Sequence, residues 1–262
     1  MTSKIGRVVT ERRGHVLTIG LDRVAKRNAF DVPMFHDLAR AYAELDRDPE
    51  LRCGVLHAHG EHFTAGLELT QFAPVFASGK WQVPQGTIDP MGLTGPRVRK
   101  PIVAAVQGIC LTIGIELLLA TDVRVAADSA RFGQIEVKRG IYPVGGATLR
   151  FPRELGWGNA MRWLLTGEEF DAREAHRMGL VQEVVAHGQQ LERALAIAQT
   201  IAQQAPLGVQ ATLASSRAAL SSQEAAAAER LLPDLQPILA SADVQEGIAS
   251  FVERRVASFS GK

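Results

Sequence analysis

Apolar and polar positions along the chain sort into stretches of period two, stretches of helical period and short unbroken apolar runs. Val16, Thr18 and Gly20 alternate with Leu17, Ile19 and Leu21, which predicts a strand. The polar stretch 23–28 ends it. Asp31 stands where an N-cap belongs, and Pro33 is tolerated in a first helical turn. Phe35, Leu38, Tyr42 and Leu45 then follow at spacings of three and four, one face of an amphipathic helix. A second strand reads Cys53–Ala58, and Gly60 and Gly66 bracket a turn into a short helix. Residues 74–100 are the least regular, broken by Gly79, Pro84, Gly86, Pro90, Gly92, Gly95 and Pro96. A structureless stretch of that length is either a surface loop or a flap over a ligand, with Trp81 and Met91 available as apolar lining.

Ile102–Val106 is a continuous apolar run, the mark of a strand covered on both faces. Residues 113–120 read as a buried helix and 123–126 as another strand. Strand, helix and strand in alternation predict an α/β core. No period repeats. From about Leu191 the composition shifts to Ala, Gln, Leu and Glu, punctuated by Pro206, Pro233 and Pro237, which predicts a helical C-terminal region.

Composition narrows the class. The 262 residues are 46% apolar and 22% charged, enough for a packed core in one large domain or one with an appendage. A net charge of +1 gives no global attraction to nucleic acid or membrane, so an anionic ligand needs local basic residues. Cys53 and Cys110 sit in apolar runs without a CxxC pair, which suits buried, reduced thiols and a cytoplasmic location. No secretory signal is visible at the N-terminus, and no apolar stretch approaches the roughly 20 residues of a membrane span.

Glu116 is the most informative residue. It lies in Ile113-Gly114-Ile115-Glu116-Leu117-Leu118-Leu119-Ala120, apolar on every helical face. A carboxylate buried there must find a partner or raise its pKa. Glu136 follows in Phe132-Gly133-Gln134-Ile135-Glu136-Val137, again among apolar neighbours. Taken alone it also fits a surface ion pair with Lys138 or Arg139. Two such carboxylates, each after a strand-like segment, suggest paired acid and base work. His57, His59 and His62 lack an acidic or Cys ligand at zinc spacing and read as structural or surface histidines, so no metal site is expected. There is no GxSxG elbow, GxGxxG fingerprint or Walker A loop, which disfavours serine hydrolases and nucleotide-dependent enzymes.

With these residues in view, the sequence resembles the crotonase (enoyl-CoA hydratase/isomerase) superfamily almost end to end. The resemblance is carried by Leu21-Asp22-Arg23-Val24-Ala25-Lys26-Arg27-Asn28-Ala29 and by Phe63-Thr64-Ala65-Gly66-Leu67-Glu68-Leu69. It continues through Ala105-Val106-Gln107-Gly108, Gly114-Ile115-Glu116-Leu117 and Phe132-Gly133-Gln134-Ile135-Glu136, and ends on Glu246-Gly247-Ile248, Phe251-Val252-Glu253-Arg254-Arg255 and Phe259.

The resemblance implies an α/β fold, a crotonase-like spiral of ββα units with a helical C-terminal trimerisation region. It divides the chain into a core at 1–195, which binds acyl-CoA, and a helical oligomerisation region at 196–262 of a homotrimer or dimer of trimers. It implies an oxyanion hole from the backbone N–H groups of Leu67 and Ile113. It further implies Glu116 activating or orienting water and Glu136 exchanging the α-carbon proton. Coenzyme A, a part of the substrate rather than a cofactor, would meet Arg23, Lys26, Arg27, Ala65, Leu67, Leu69 and, from a neighbouring subunit, Phe251 and Arg254. The implied activity is a lyase, an enoyl-CoA hydratase. The alternatives are a delta isomerase on the same fold and a non-catalytic acyl-CoA-binding paralogue. Two positions depart from the family pattern: Thr112 and Ile113 stand where glycines are frequent, and Glu68 replaces an Asp.

Overall fold

The computed structural model describes residues 5–77, 83–221 and 240–262. A six-stranded sheet runs β1 (Arg7–Arg13), β2 (Val16–Asp22), β3 (Cys53–Ala58), β4 (Ile102–Val106), β6 (Val123–Ala127) and β9 (Glu183–Val185) in spatial order. β1 pairs antiparallel with β2, and the other neighbours are parallel. The hydrophobic pattern did not announce β1, because its side chains are mostly exposed and charged.

β2 alternates in sequence yet is almost wholly buried, since both faces of the sheet are covered. Leu17, Ile19, Leu21, Leu56, Ala104 and Val106 face the main core under α1 (Val32–Arg47). Val16, Cys53, Val55, Val103, Ala105 and Val125 face α7 (Gln190–Ala202) through Ala194, Leu195, Ala198 and Ala202. Each fully buried large apolar side chain contributes about 1.5–3 kcal/mol. The expected boundary after residue 195 falls inside α7, which packs on the sheet as one helix. Asp31 caps α1 as its position predicted: its carboxylate accepts from Met34 N at 2.9 Å, and also from Gly6 N at 2.8 Å. Phe35, Leu38, Tyr42 and Leu45 are all buried.

A second layer carries the site. Leaving the main sheet, the chain turns a corner, forms a short extended piece and enters a helix, and it does so turn after turn. Phe30 bridges Leu67 in parallel, Thr64 bridges Cys110, and β5 (Ile109–Leu111) pairs with β7 (Arg131–Gly133), which pairs with β8 (Glu169–Asp171). This is the spiral of ββα units that the resemblance implied. Gly108 makes one corner, at φ +55°, where a Cβ would come 2.0 Å from the Glu61 carbonyl oxygen. Only glycine fits that approach.

The irregular stretch divides. α2 (Leu69–Ala77) runs through Pro74 into it, Trp81 lies outside the described residues, and Met91 is fully buried. Between β7 and β9 lie α4 (Ala147–Leu155), α5 (Trp157–Thr166) and α6 (Ala172–Met178), and beyond α7 come α8 (Pro206–Ser221) and α9 (Ala242–Glu253). The end of the chain is tied down by Arg52, which donates to the carbonyls of Ala202 and Phe259. Among the described residues no helix is long and apolar enough to cross a membrane. Cys53 and Cys110 are buried free thiols.

Candidate active site

Successive turns of the spiral set three loop–helix junctions side by side. The first is 64–68, before α2. The second is Thr112, before α3 (Ile113–Leu118). The third is the 3-10 turn Glu136–Arg139, after β7. Together they line a cleft of about 190 Å³ with Ala65, Leu67, Leu69, Thr112, Ile113, Glu116, Ile135, Glu136, Arg139, Ile141, Tyr142 and others on its walls.

The first junction frees a donor by its pairing geometry. Phe30 N donates to Gly66 O at 2.8 Å and Glu68 N donates to Phe30 O at 2.8 Å. A parallel bridge uses the groups flanking its central residue, so the N–H of Leu67 points away from Phe30 and has no partner among the described residues. The second junction frees another. Thr112 N donates to Gly133 O at 2.9 Å, while Ile113 N opens α3, where the first N–H groups have no intrahelical acceptor. The two loops touch: a Cβ on Gly66 would lie 2.5 Å from Thr112 Oγ1.

Glycine at Thr112 and Ile113 would allow a positive φ, and this junction does contain one. It falls on Thr112, at φ 51° and ψ −114°. Such a conformation costs a residue with a Cβ about 1–3 kcal/mol. Ile113 takes the first helical position and buries its side chain in the core. Glu68, the longer replacement, reaches Arg23 at 2.7 Å.

Glu116 and Glu136 are both buried on the cleft wall. Glu116 Oε1 accepts from Gly145 N at 2.7 Å and Ala147 N at 3.2 Å. Burial lifts its pKa to about 7 against the pull of those two N–H groups and of Arg150. Burial also lifts Glu136 to about 7, and the Glu116 charge adds to it. Glu136 Oε2 has no hydrogen-bond partner among the described residues. Carboxyls near pKa 7 can take or give a proton at neutral pH, and free N–H pairs can hold a developing oxyanion.

The other expected contacts divide. Lys26 and Arg27 are exposed on the loop after β2, and Arg27 O accepts from Ala65 N at 2.9 Å. Arg23 departs from its expected role. It is 5% exposed, with Nε 3.3 Å from Asp31 and Nη1 2.7 Å from Glu68. A buried guanidinium requires such partners, and this one braces the 23–31 loop against the first donor loop. Ala65 and Leu69 line the cleft; Arg254 is exposed at the end of α9 and does not; the side chain of Phe251 lies outside the described residues. His57 is buried, and burial together with His59 holds its pKa down to about 4. Sequence reasoning missed Gly145, Ala147 and Tyr142, and it named Arg139 only as a partner for Glu136, an ion pair that does not form among the described residues. The Gly145-Gly146 pair before α4 (Ala147–Leu155) was the available signal for the first two.

A family model described as enoyl-CoA hydratase/isomerase matches residues 11–262. The chain is similar to enoyl-CoA hydratase EchA19 of Mycobacterium tuberculosis, 38% identical over 260 residues that cover 97% of this chain and 96% of that one. It is similar to mevalonyl-coenzyme A hydratase SIDH of Beauveria bassiana, 35% identical over 92% of this chain and 90% of that one. Among solved structures, a probable enoyl-CoA hydratase/isomerase from Mycobacterium abscessus superposes with a TM-score of 0.96 at 50% identity, covering 98% of this chain and all of that one.

Proposed function

The chain is an enzyme of the enoyl-CoA hydratase/isomerase family, and from that premise we propose that it adds water reversibly and in syn fashion to a trans-2-enoyl-CoA, giving the 3-hydroxyacyl-CoA. The observation that carries this reading is one cleft holding two unpaired backbone donors and two carboxyls near pKa 7.

In this mechanism the thioester oxygen accepts from the N–H groups of Leu67 and Ile113. Polarisation makes the β-carbon electrophilic, and fixed donors stabilise the enolate without reorganising. Glu116, as carboxylate, orients a water and takes its proton as the oxygen bonds to the β-carbon. Glu136, as acid, delivers a proton to the α-carbon, and exchange of one proton between the two resets the site. The Gly145 and Ala147 N–H groups fix Glu116 for the water, and the unpaired Oε2 of Glu136 leaves that carboxyl a position for its proton.

Coenzyme A is part of the substrate. We assign its phosphates to Lys26 and Arg27, its thioester end to Ala65, Leu67 and Leu69, and its adenine end to Phe251 and Arg254 of a neighbouring copy. Residues 196–262 would assemble a homotrimer or a dimer of trimers, acting in the cytoplasm. Loss of the conjugated enoyl absorbance of crotonyl-CoA tests the reaction. No turnover across a panel of short and long enoyl-CoAs would sink it.

A second reading is a delta isomerase, supported by the unpaired Glu136 Oε2, since one free carboxyl can carry a proton between two carbons. Glu116→Gln separates the two: an isomerase largely survives it, a hydratase does not.

A further inference from the structure

The cleft holds a third charged group that the hydration chemistry does not use. Arg139 closes the 3-10 turn that begins at Glu136, and it lines the same cleft. It is exposed, and among the described residues it has neither an ion pair nor a hydrogen bond. The two glutamates on the wall do not serve it. Glu116 Oε1 is taken by Gly145 and Ala147, Glu136 Oε2 has no hydrogen-bond partner among the described residues, and neither carboxylate forms an ion pair with Arg139 there. Its neighbours on the wall are apolar (Ile135, Ile141, Val144), apart from Tyr142, which is 64% exposed and carries a hydroxyl.

A cation at the mouth of the cleft, flanked by Ile135, Ile141 and Val144 and unpaired with either glutamate among the described residues, can receive an anion. The guanidinium presents a planar fork that matches a carboxylate. It sits at the rim, so a carboxylate meeting it keeps part of its hydration and avoids most of the desolvation cost of a buried pair. Its place in the chain also separates it from the loop assigned to the coenzyme A phosphates. Lys26 and Arg27 lie in the turn of the spiral after β2, whereas Arg139 follows β7, on the turn that carries Glu136 and thus the α-carbon.

We propose that Arg139, with Tyr142 beside it, selects 2-enoyl-CoA substrates whose acyl chain carries a carboxylate beyond the double bond. The proposal rests on the hydratase reading for its reaction but on the cleft alone for its recognition. Arg139 is a specificity determinant that touches the distal end of the acyl group; it takes no part in proton transfer.

The test compares two chains of equal length, 5-carboxypent-2-enoyl-CoA and hex-2-enoyl-CoA. The wild type is expected to favour the carboxylated substrate in kcat/KM by about tenfold to a hundredfold, the range of one charge-assisted contact. Arg139→Gln should collapse that ratio to about one, and Arg139→Lys should keep part of it. Binding of the saturated pair, adipyl-CoA and hexanoyl-CoA, measured by calorimetry, reads the same preference without turnover. If neither enoyl-CoA is hydrated but adipyl-CoA binds better through Arg139, the hydratase reading fails and the recognition stands. A wild-type ratio of one overturns the proposal. So does a preference that Arg139→Gln leaves unchanged while weakening both ligands together, since the cation would then serve the coenzyme A moiety they share.

Discussion

Glu116 and Glu136 occupy the same cleft, and burial raises both to about 7, yet the chain holds them in opposite ways. Glu116 projects from a helix and is clamped by two backbone N–H groups from the 145–147 junction. Glu136 opens a 3-10 turn and leaves one oxygen buried without a hydrogen-bond partner among the described residues. Equal acidity with unequal restraint is what two different jobs require. A group that orients water must not move, whereas a group that exchanges a proton with carbon needs an oxygen not already committed.

The largest effects should come from removing each acid. Glu136→Gln should lower hydration by about 10²–10⁴-fold and should also abolish exchange of α-protons of a saturated acyl-CoA with deuterated solvent. Glu116→Gln should cost hydration a similar factor while leaving that exchange within a few-fold of wild type, because its amide oxygen still accepts from Gly145 and Ala147. Equal loss of exchange in both variants would erase the distinction.

The clamp itself can be attacked next. A Cβ on Gly145 would lie 2.3 Å from Glu116 Oε2 and 2.7 Å from Met91 Sδ. Gly145→Ala should therefore destabilise the protein by about 1–3 kcal/mol in denaturant titration and depress hydration more than α-proton exchange.

A smaller effect concerns stability and pH. The folded state holds the Glu136 proton up to about pH 7, whereas the ordinary value is 4.5. Between those values the folded state binds more protons than the unfolded one, so stability falls as pH rises from about 4.5 to 7. Glu136→Gln removes that loss, which predicts a variant more stable than wild type by about 1–3 kcal/mol at pH 8 and little changed at pH 4, read from paired thermal melts.

The smallest change is in the rate profile. Hydration needs one carboxyl ionised and one protonated, so kcat should peak near pH 7 and fall on both sides, with limbs that belong to the pair. A plateau extending to pH 9 would show that only one of them titrates in the reaction.

Much of this was legible along the chain. An apolar environment at every helical face of Glu116 meant burial whatever the fold, and burial is the first cause of its raised pKa. Asp31 in front of an amphipathic run meant a capped helix, since capping is settled within three residues. The α/β character and both cysteines' burial followed from short apolar runs.

Other features depended on residues far apart in sequence. Arg23 reads as a phosphate-binding cation until Asp31 and Glu68 enclose it. The N–H of Leu67 is free only because Phe30 takes the groups on either side of it. Glu116 is clamped by atoms 29 and 31 residues downstream, and Arg139 lines the cleft without an ion pair to either glutamate among the described residues. Local pattern determined which groups would be buried, because burial follows from the apolar content of a segment. Only the tertiary structure decided which buried groups found partners and which stayed free to act, because hydrogen bonding is directional and its partners come from other turns of the spiral.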